Sequence, residues 1–278
     1  MIPPDPTLNE FRQAVVGPDA EIDLARAALL IARTEYPELN VERYLHRLDR
    51  LAQEARAGGI EGDPLRRLHR LREFLFEEAG FRGNAQEYFD PRNSFLNDVL
   101  DRKFGIPITL SLVLMEVGRR LRLDIRGIGL PAHFIVGAEI NGCQVLLDPF
   151  HGGTLLTADG AQELVSRVLG RPVTLQEEHF TPVTKRQFLT RMLNNLKAIY
   201  WRKECWAKVL PMVERLLALE PDALGEIRDR GTVFVNLREL TRGIADWECY
   251  LSQHPEAPDA ETVRHHLRRV RGALATLN

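Results

Sequence analysis

Gly105-Ile-Pro-Ile-Thr-Leu-Ser-Leu-Val-Leu-Met-Glu-Val-Gly-Arg-Arg120 and, shortly after it, Pro131-Ala-His-Phe-Ile-Val-Gly-Ala-Glu-Ile-Asn-Gly-Cys-Gln-Val-Leu-Leu-Asp-Pro-Phe150 decide how this chain folds. Pro107 sits where proline is tolerated, in the first turn of a helix. The helix that follows is apolar almost all round (Ile108, Leu110, Leu112, Val113, Leu114, Met115, Val117), broken only by Glu116 and ended by Arg119-Arg120. Such a helix is central and buried. Ile125 to Gly129 reads as a short strand. Two β-rich runs then flank Asn141-Gly142, the strongest short hairpin signal there is.

A two-residue turn at Asn141-Gly142 sets Ile140 opposite Cys143 and Ile135 opposite Asp148. Side chains alternate faces along a strand, so His133, Ile135, Asp148 and Phe150 share one face. His133 and Asp148 become diagonal neighbours ~7–8 Å apart at the backbone, within side-chain reach. A carboxylate beside an imidazole is the His–Asp half of a nucleophilic triad. It is equally the way a core satisfies a buried histidine. The same register excludes Cys143 as the nucleophile, because it falls on the opposite face and ~23 Å along the strand from His133. Cys205 and Cys249 lie in the helical second half and read as buried small residues. The hydroxyl candidates are Thr109, Ser111 and Ser94. Thr109 stands in the first turn of the apolar helix, where a hydroxyl is more often a local cap.

Upstream, the chain reads as helical from Thr7 to Gly80. Asp19 is placed to cap a helix through Ile22 and Ile31, Val41 to Leu51 forms a second that stops at Gly58-Gly59, and Asp63-Pro64 opens a third. Phe81 to Pro91 reads as a loop, after which Asn93 or Ser94 can cap a short helix through Leu96, Val99 and Leu100, ending near Gly105. Downstream, Gly152-Gly153 turns the chain, Ala158 to Leu169 is helical, and Arg171 to Pro182 is a linker or a last edge segment. From Thr184 the sequence is helical and repeats: Leu219-Glu-Pro-Asp-Ala223 returns as Gln253-His-Pro-Glu-Ala257, a period of 34 residues. That period with a closing proline is the tetratricopeptide pattern. Two repeats plus a final helix over 259–275 make the smallest stack able to bury its own faces.

The 278 residues are 44% hydrophobic and 27% charged with a net charge of -2, the make-up of a soluble globular protein with no call for nucleic acid or membrane. The 3 cysteines are odd in number and scattered, and no Cys/His ligand spacing occurs, so neither a disulfide framework, a metal nor a cofactor is expected. Met1-Ile2-Pro3-Pro4 lacks the basic and apolar regions of a signal peptide. No apolar run approaches the ~18 residues of a membrane span. The expected compartment is the cytoplasm.

Asn93-Ser-Phe-Leu-Asn-Asp-Val-Leu100, Gly105-Ile-Pro-Ile-Thr-Leu-Ser111, Pro131-Ala-His-Phe134 and Asp148-Pro-Phe-His-Gly-Gly153 together resemble the bacterial SirB-type transglutaminase-like family. The resemblance implies an α+β fold: a transglutaminase-like, papain-like core in which a central buried helix packs on a small antiparallel sheet. N-terminal helices precede that core and an all-α tetratricopeptide region follows it. The implied domains are 1–180, with the core at about 90–170, and 184–278. Transglutaminases place a cysteine at the start of the central helix and a His and an Asp on the following strands. His133 and Asp148 match the last two, and the cysteine position falls at or beside Pro107, a lack that the resemblance extends to the family. Proline has no nucleophilic side chain, so cysteine-type acyl transfer is excluded on this alignment. The leading expectation is therefore a pseudoenzyme whose cleft (Asn93, Ser94, Asn97, Pro107, Thr109, His133, Asp148) binds a ligand while the repeats bind a protein or peptide partner. The alternatives are an active hydrolase or acyltransferase using Thr109, Ser111 or a water activated by the His133–Asp148 pair, and a scaffold without a ligand.

Overall fold

The computed structural model describes residues 5–275. The chain divides into two compact units, Gly17–Met192 and Met1–Val16 together with Leu193–Asn278. The division on the carboxyl side thus falls inside a helix rather than in the Arg171–Pro182 segment, and the first helix, α1 (Leu8–Val15), groups with the repeats.

In Gly17–Met192 the helices α2 (Leu24–Ala32), α3 (Val41–Ala57) and α4 (Pro64–Glu73) form where periodicity places them. Each start is held by a short acceptor side chain: Asp23 to Arg26 N, Asn40 to Arg43 N and Asp63 to Arg66 N. Asp19 does not cap α2. Its two carboxylate oxygens accept instead from the backbone N–H groups of Lys185 and Arg186, each at 2.9 Å, at the start of α8 (Lys185–Arg202). A cap is defined by which free N–H groups reach the carboxylate, and the fold brings it a helix start 166 residues away.

The expected loop after Gly80 contains a strand, β1 (Arg82–Gly83), paired in parallel with β2 (Phe104–Gly105). Between them α5 (Leu96–Arg102) begins at Phe95 with no side-chain cap, so neither Asn93 nor Ser94 has that role, and Lys103 in the left-handed region ends it. The central helix α6 (Pro107–Arg120) is buried along almost its whole length, with Leu110, Leu112, Leu114 and Val117 fully inside. Each such side chain contributes ~1.5–3 kcal/mol by leaving water. α6 approaches the sheet so closely that a Cβ on Gly118 would stand 2.6 Å from Ile125 Cδ1.

The sheet has four antiparallel strands in the order β3 (Ile125–Ile128), β4 (Ile135–Ile140), β5 (Cys143–Asp148) and β6 (Thr154–Leu156). Its hairpin has the register expected from the turn, with Ile140 opposite Cys143 and Val136 opposite Leu147. Asn141 and Gly142 both have positive φ, as a two-residue primed turn requires. Two details differ. β4 begins at Ile135, so His133 lies in the approach to the strand, and β6 is a strand that its three residues do not announce. Pro182 bridges to Ile128 and Val183 N donates to Gly127 O, adding an edge segment beside β3. Ile128, Leu130, Ile135 and Leu146 pack with Ala161 and Val165 of α7 (Ala158–Leu169).

In the other unit α9 (Trp206–Leu219) and α11 (Leu240–Gln253) start and stop at the same places in the 34-residue period, with α10 (Leu224–Asn236) between them and α12 (Ala260–Ala275) closing the stack. α10 and α11 meet where a Cβ on Gly231 would lie 2.6 Å from the Trp247 ring. Trp247 Nε1 donates to Arg228 O at 3.2 Å, and Trp247, Tyr250, Val263 and Leu267 form the core. α1 adds Leu8, Phe11 and Val15 to this unit. The fully buried Arg215 donates to Asp5 Oδ2 at 2.6 Å and to Thr7 Oγ1 at 2.5 Å, which makes its burial tolerable. Cys205 and Cys249 are not the buried residues expected: Cys205 is exposed at the start of α9 and Cys249 is half-buried. Among the described residues no helix is long and apolar enough to cross a membrane.

Candidate functional site

His133 and Asp148 meet. His133 reaches the sheet through a tight turn in which its N–H donates to Leu130 O and Ala132 takes φ +56°, a left-handed conformation that costs a non-glycine residue ~1–2 kcal/mol. Strain of this kind persists only where surrounding contacts dictate the backbone. Here Arg191 donates to His133 O at 2.6 Å and Phe134 packs edge-on against Phe188 at 5.0 Å. Asp148 closes β5, and its Oδ1 accepts from Phe150 N at 3.0 Å. His133 Nε2 lies 3.0 Å from Asp148 Oδ2, with the two residues only 4% and 1% exposed.

A third residue completes the cluster. Pro149–His151 form a single 3-10 turn, and three residues per turn bring positions 148 and 151 onto one side. His151 Nδ1 lies 2.7 Å from the same Asp148 Oδ2, and its ring stacks over that of His133 at 6.0 Å. The signal for it was in Asp148-Pro-Phe-His151: a carboxylate, a proline to start a turn, and a ligand-type residue three positions on. The turn is wedged in place, since a Cβ on Gly83 would fall 2.5 Å from Phe150 O. Gly83 is itself paired with Gly105, two residues before Pro107.

Burial drives the Asp148 carboxyl upward, but hydrogen bonds and charge from His133 and then His151 outweigh it and hold the group below its ordinary value. A carboxylate is acceptor-only, so both imidazoles donate to it, His133 from Nε2 and His151 from Nδ1. In the neutral ring this leaves the lone pair on His133 Nδ1, and that nitrogen makes no hydrogen bond among the described residues. The arrangement suits a general base, and the atoms His133 Nε2, Asp148 Oδ2 and His151 Nδ1, all within 4.8 Å of one another, also have the make-up of an ion-binding cluster. An aromatic edge continues from it. Phe150 packs edge-on to Tyr88 at 5.8 Å, and Tyr88 to the exposed Phe89 at 5.3 Å. Neither Tyr88 nor Phe89 stood out in the sequence, because aromatics in an irregular segment carry no periodicity.

None of the other sequence candidates hydrogen-bonds to His133 among the described residues. Thr109 Oγ1 donates to Asn93 O at 2.7 Å and accepts from Ile106 N at 3.1 Å, so its hydroxyl fastens the start of α6. Asn93 is fully buried, donating to Glu87 O at 2.7 Å and accepting from Asn84 Nδ2 at 3.2 Å. Ser94 Oγ, Ser111 Oγ and Asn97 Oδ1 are buried with no partner among the described residues, and nothing there activates either serine. Pro107 is the first residue of α6. Cys143 is exposed, paired with Ile140 at the far end of the hairpin. A cavity of about 880 Å³ elsewhere in this unit, lined by Ile22, Met115, Arg119 and Lys185 among others, contains none of the cluster.

Comparison with known proteins places the two halves of the chain in known families. The family model described as the transglutaminase-like superfamily matches residues 42–194, and a tetratricopeptide-repeat model matches 196–268. A "UPF0162 protein" of Xylella fastidiosa (strain Temecula1) is 33% identical over 254 residues, covering 90% of each chain. A "UPF0162 protein" of Vibrio cholerae is 29% identical over 245 residues, 87% of this chain and 90% of the other. "Protein SirB1" of Salmonella typhimurium is 26% identical over 240 residues, 86% and 88% respectively. No solved structure matches. With more than half of the chain matched by the one family model and most of the helical second half by the other, the chain belongs to the transglutaminase-like superfamily, in the group of UPF0162 and SirB1 proteins.

Proposed function

We propose that the transglutaminase-like unit is a non-catalytic module that binds a ligand or peptide at the His133–Asp148–His151 end of its sheet, and that the tetratricopeptide unit is a surface for a protein partner. The observation that carries this reading is the pairing of His133. Its Nε2 is held by Asp148 at 3.0 Å, while no thiol or hydroxyl among the described residues bonds to it. A nucleophile needs a base within ~2.6–3.2 Å, and Pro107 supplies no such group. The aromatic edge of Phe150, Tyr88 and Phe89 supports binding, because apolar faces beside a few convergent polar groups are what ligand sites consist of. Helical repeats present extended surfaces to other proteins. The three free cysteines support a reducing compartment, the cytoplasm.

Glutaminyl-peptide hydrolysis and transamidation, assayed on the native chain, Pro107→Cys and Pro107→Cys/His133→Ala, test the reading. The native chain is expected to show no turnover, and Pro107→Cys to gain a rate that the second change removes. Native turnover that survives Thr109→Ala and Ser111→Ala but disappears with His133→Ala would establish a water-using hydrolase and overturn the proposal.

A further inference from the structure

We propose that His133 Nε2, Asp148 Oδ2 and His151 Nδ1 bind one divalent first-row transition ion. The proposal deepens the binding-cleft reading above and rests on it.

Two imidazoles and one carboxylate are borderline donors that favour zinc, iron, cobalt or nickel over magnesium or calcium. The separations fit. Bonds of ~2.0–2.2 Å from ion to nitrogen or oxygen put ligand atoms about 2.9 Å apart at right angles and about 3.4 Å apart in a tetrahedron. Asp148 Oδ2 lies 3.0 Å from His133 Nε2 and 2.7 Å from His151 Nδ1, closer to the right-angled case. The three atoms lie within 4.8 Å of one another, and any closing of the remaining edge falls to His151. Its side chain is 53% exposed, whereas those of His133 and Asp148 are enclosed at 4% and 1% exposed.

The cluster is also held in advance of any ion. Asp148 is oriented through Oδ1 by Phe150 N, its carbonyl accepts from Gly153 N at 2.8 Å, and the His133 carbonyl is clamped by Arg191. Binding requires both imidazoles to present lone pairs where they now present N–H groups. Each ring moves its proton to its other nitrogen, His133 Nδ1 and His151 Nε2, and neither of those is engaged by another described residue. Ion binding and the His133–Asp148 hydrogen bond are therefore alternatives at the same atom. A right-angled arrangement of three ligands leaves further positions beside Phe150 and the exposed side of His151, open to an oxygen donor of the bound ligand.

Equilibrium dialysis of the full chain against Zn²⁺, with Mg²⁺ as comparison, tests this. One equivalent of Zn²⁺ and no comparable Mg²⁺ retention are expected. His151→Ala removes an exposed ligand without touching the core, and should weaken Zn²⁺ binding at least as much as loss of an outer-sphere partner does, about 10–100-fold. Asp148→Asn should weaken it while circular dichroism reports the same fold. With Co²⁺ in place of Zn²⁺, the visible absorption of the native complex should be lost in His151→Ala. Failure to retain one equivalent, or retention unchanged by His151→Ala, overturns the ion site. Such a failure leaves the absence of amide turnover standing, whereas His133-dependent native turnover overturns the non-catalytic reading whatever the ion result.

Discussion

Replacing Thr109 with valine separates a structural hydroxyl from a catalytic one. Valine has nearly the same shape, so the change leaves no cavity and removes only the hydroxyl. That hydroxyl is fully buried and has two principal hydrogen bonds, Oγ1 to Asn93 O at 2.7 Å, which joins the start of α6 to the segment before α5, and Ile106 N to Oγ1 at 3.1 Å, which caps α6, with Ile106 O a secondary acceptor at 3.1 Å. Each is worth a net ~1 kcal/mol, and a buried group left without a partner costs ~1–3 kcal/mol more. Ile106 N keeps a long contact to Asn93 O at 3.4 Å, which softens the loss on one side. The expected destabilisation is therefore about 2–3 kcal/mol. For a unit the size of Gly17–Met192 each kcal/mol moves the midpoint by ~2–4 °C, so a fall of roughly 4–12 °C is expected in thermal unfolding followed by circular dichroism. Thr109→Ser should stay close to the native value, because it keeps the oxygen. A Thr109→Val protein as stable as the native chain would refute the fastening role, as would one that loses a native turnover with its stability unchanged.

The buried face of the repeats carries a titration signature. Burial first, and the Asp5 carboxylate second, raise the Glu214 carboxyl above its ordinary value of 4.5. The native state thus holds its proton more tightly, and the stability this gives is complete below pH 4.5 and disappears as pH rises through the folded value. Glu214→Gln should therefore be more stable than the native chain at pH 7, with the gain fading toward pH 4 in denaturant titrations at each pH. Glu214 is only half-buried, so the gain is a fraction of the ~1–3 kcal/mol that a fully desolvated group costs; equal stability at pH 7 would count against the assignment. Gly83→Ala places a methyl 2.5 Å from Phe150 O and should destabilise by ~1–3 kcal/mol. It should also shift the imidazole resonances of His133 and His151 in an NMR spectrum, and an unmoved spectrum would show that Gly83 does not hold the 149–151 turn.

The parts of the fold legible in the residues are those set by local geometry. Asn141-Gly142 has the two positive φ angles of its turn built into its residue types, and strand alternation carries that register back from the turn to Asp148. Counting places His133 near Asp148, although the structure brings it there through the turn at Ala132 before β4 begins. Pro107 and the apolar run after it define α6, and the 34-residue spacing defines α9 and α11, because helix periodicity and a closing proline are local signals.

What local signals do not carry is which distant group arrives. Asp19 looks like the cap of the helix beside it and is the cap of α8, since a carboxylate bonds whichever free N–H groups the fold delivers. β1 and β2 are two residues each, too short for any alternation, and exist because tertiary packing sets Gly83 against Gly105 and Phe150. Thr109 and Asn93 read as cleft residues until their hydrogen bonds are traced, and those bonds run inward to backbone atoms. His151 stood in plain view within a quoted motif, but only the 3-10 turn after β5 brings its ring to the carboxylate that His133 already holds. The sequence by itself determined the main helices, the hairpin register and the proline at the start of α6, because turn type, alternation and residue identity are fixed along the chain. Tertiary structure alone decided which polar atoms remain uncommitted, because every donor and acceptor in the interior is claimed by whatever neighbour the packing brings within 3 Å.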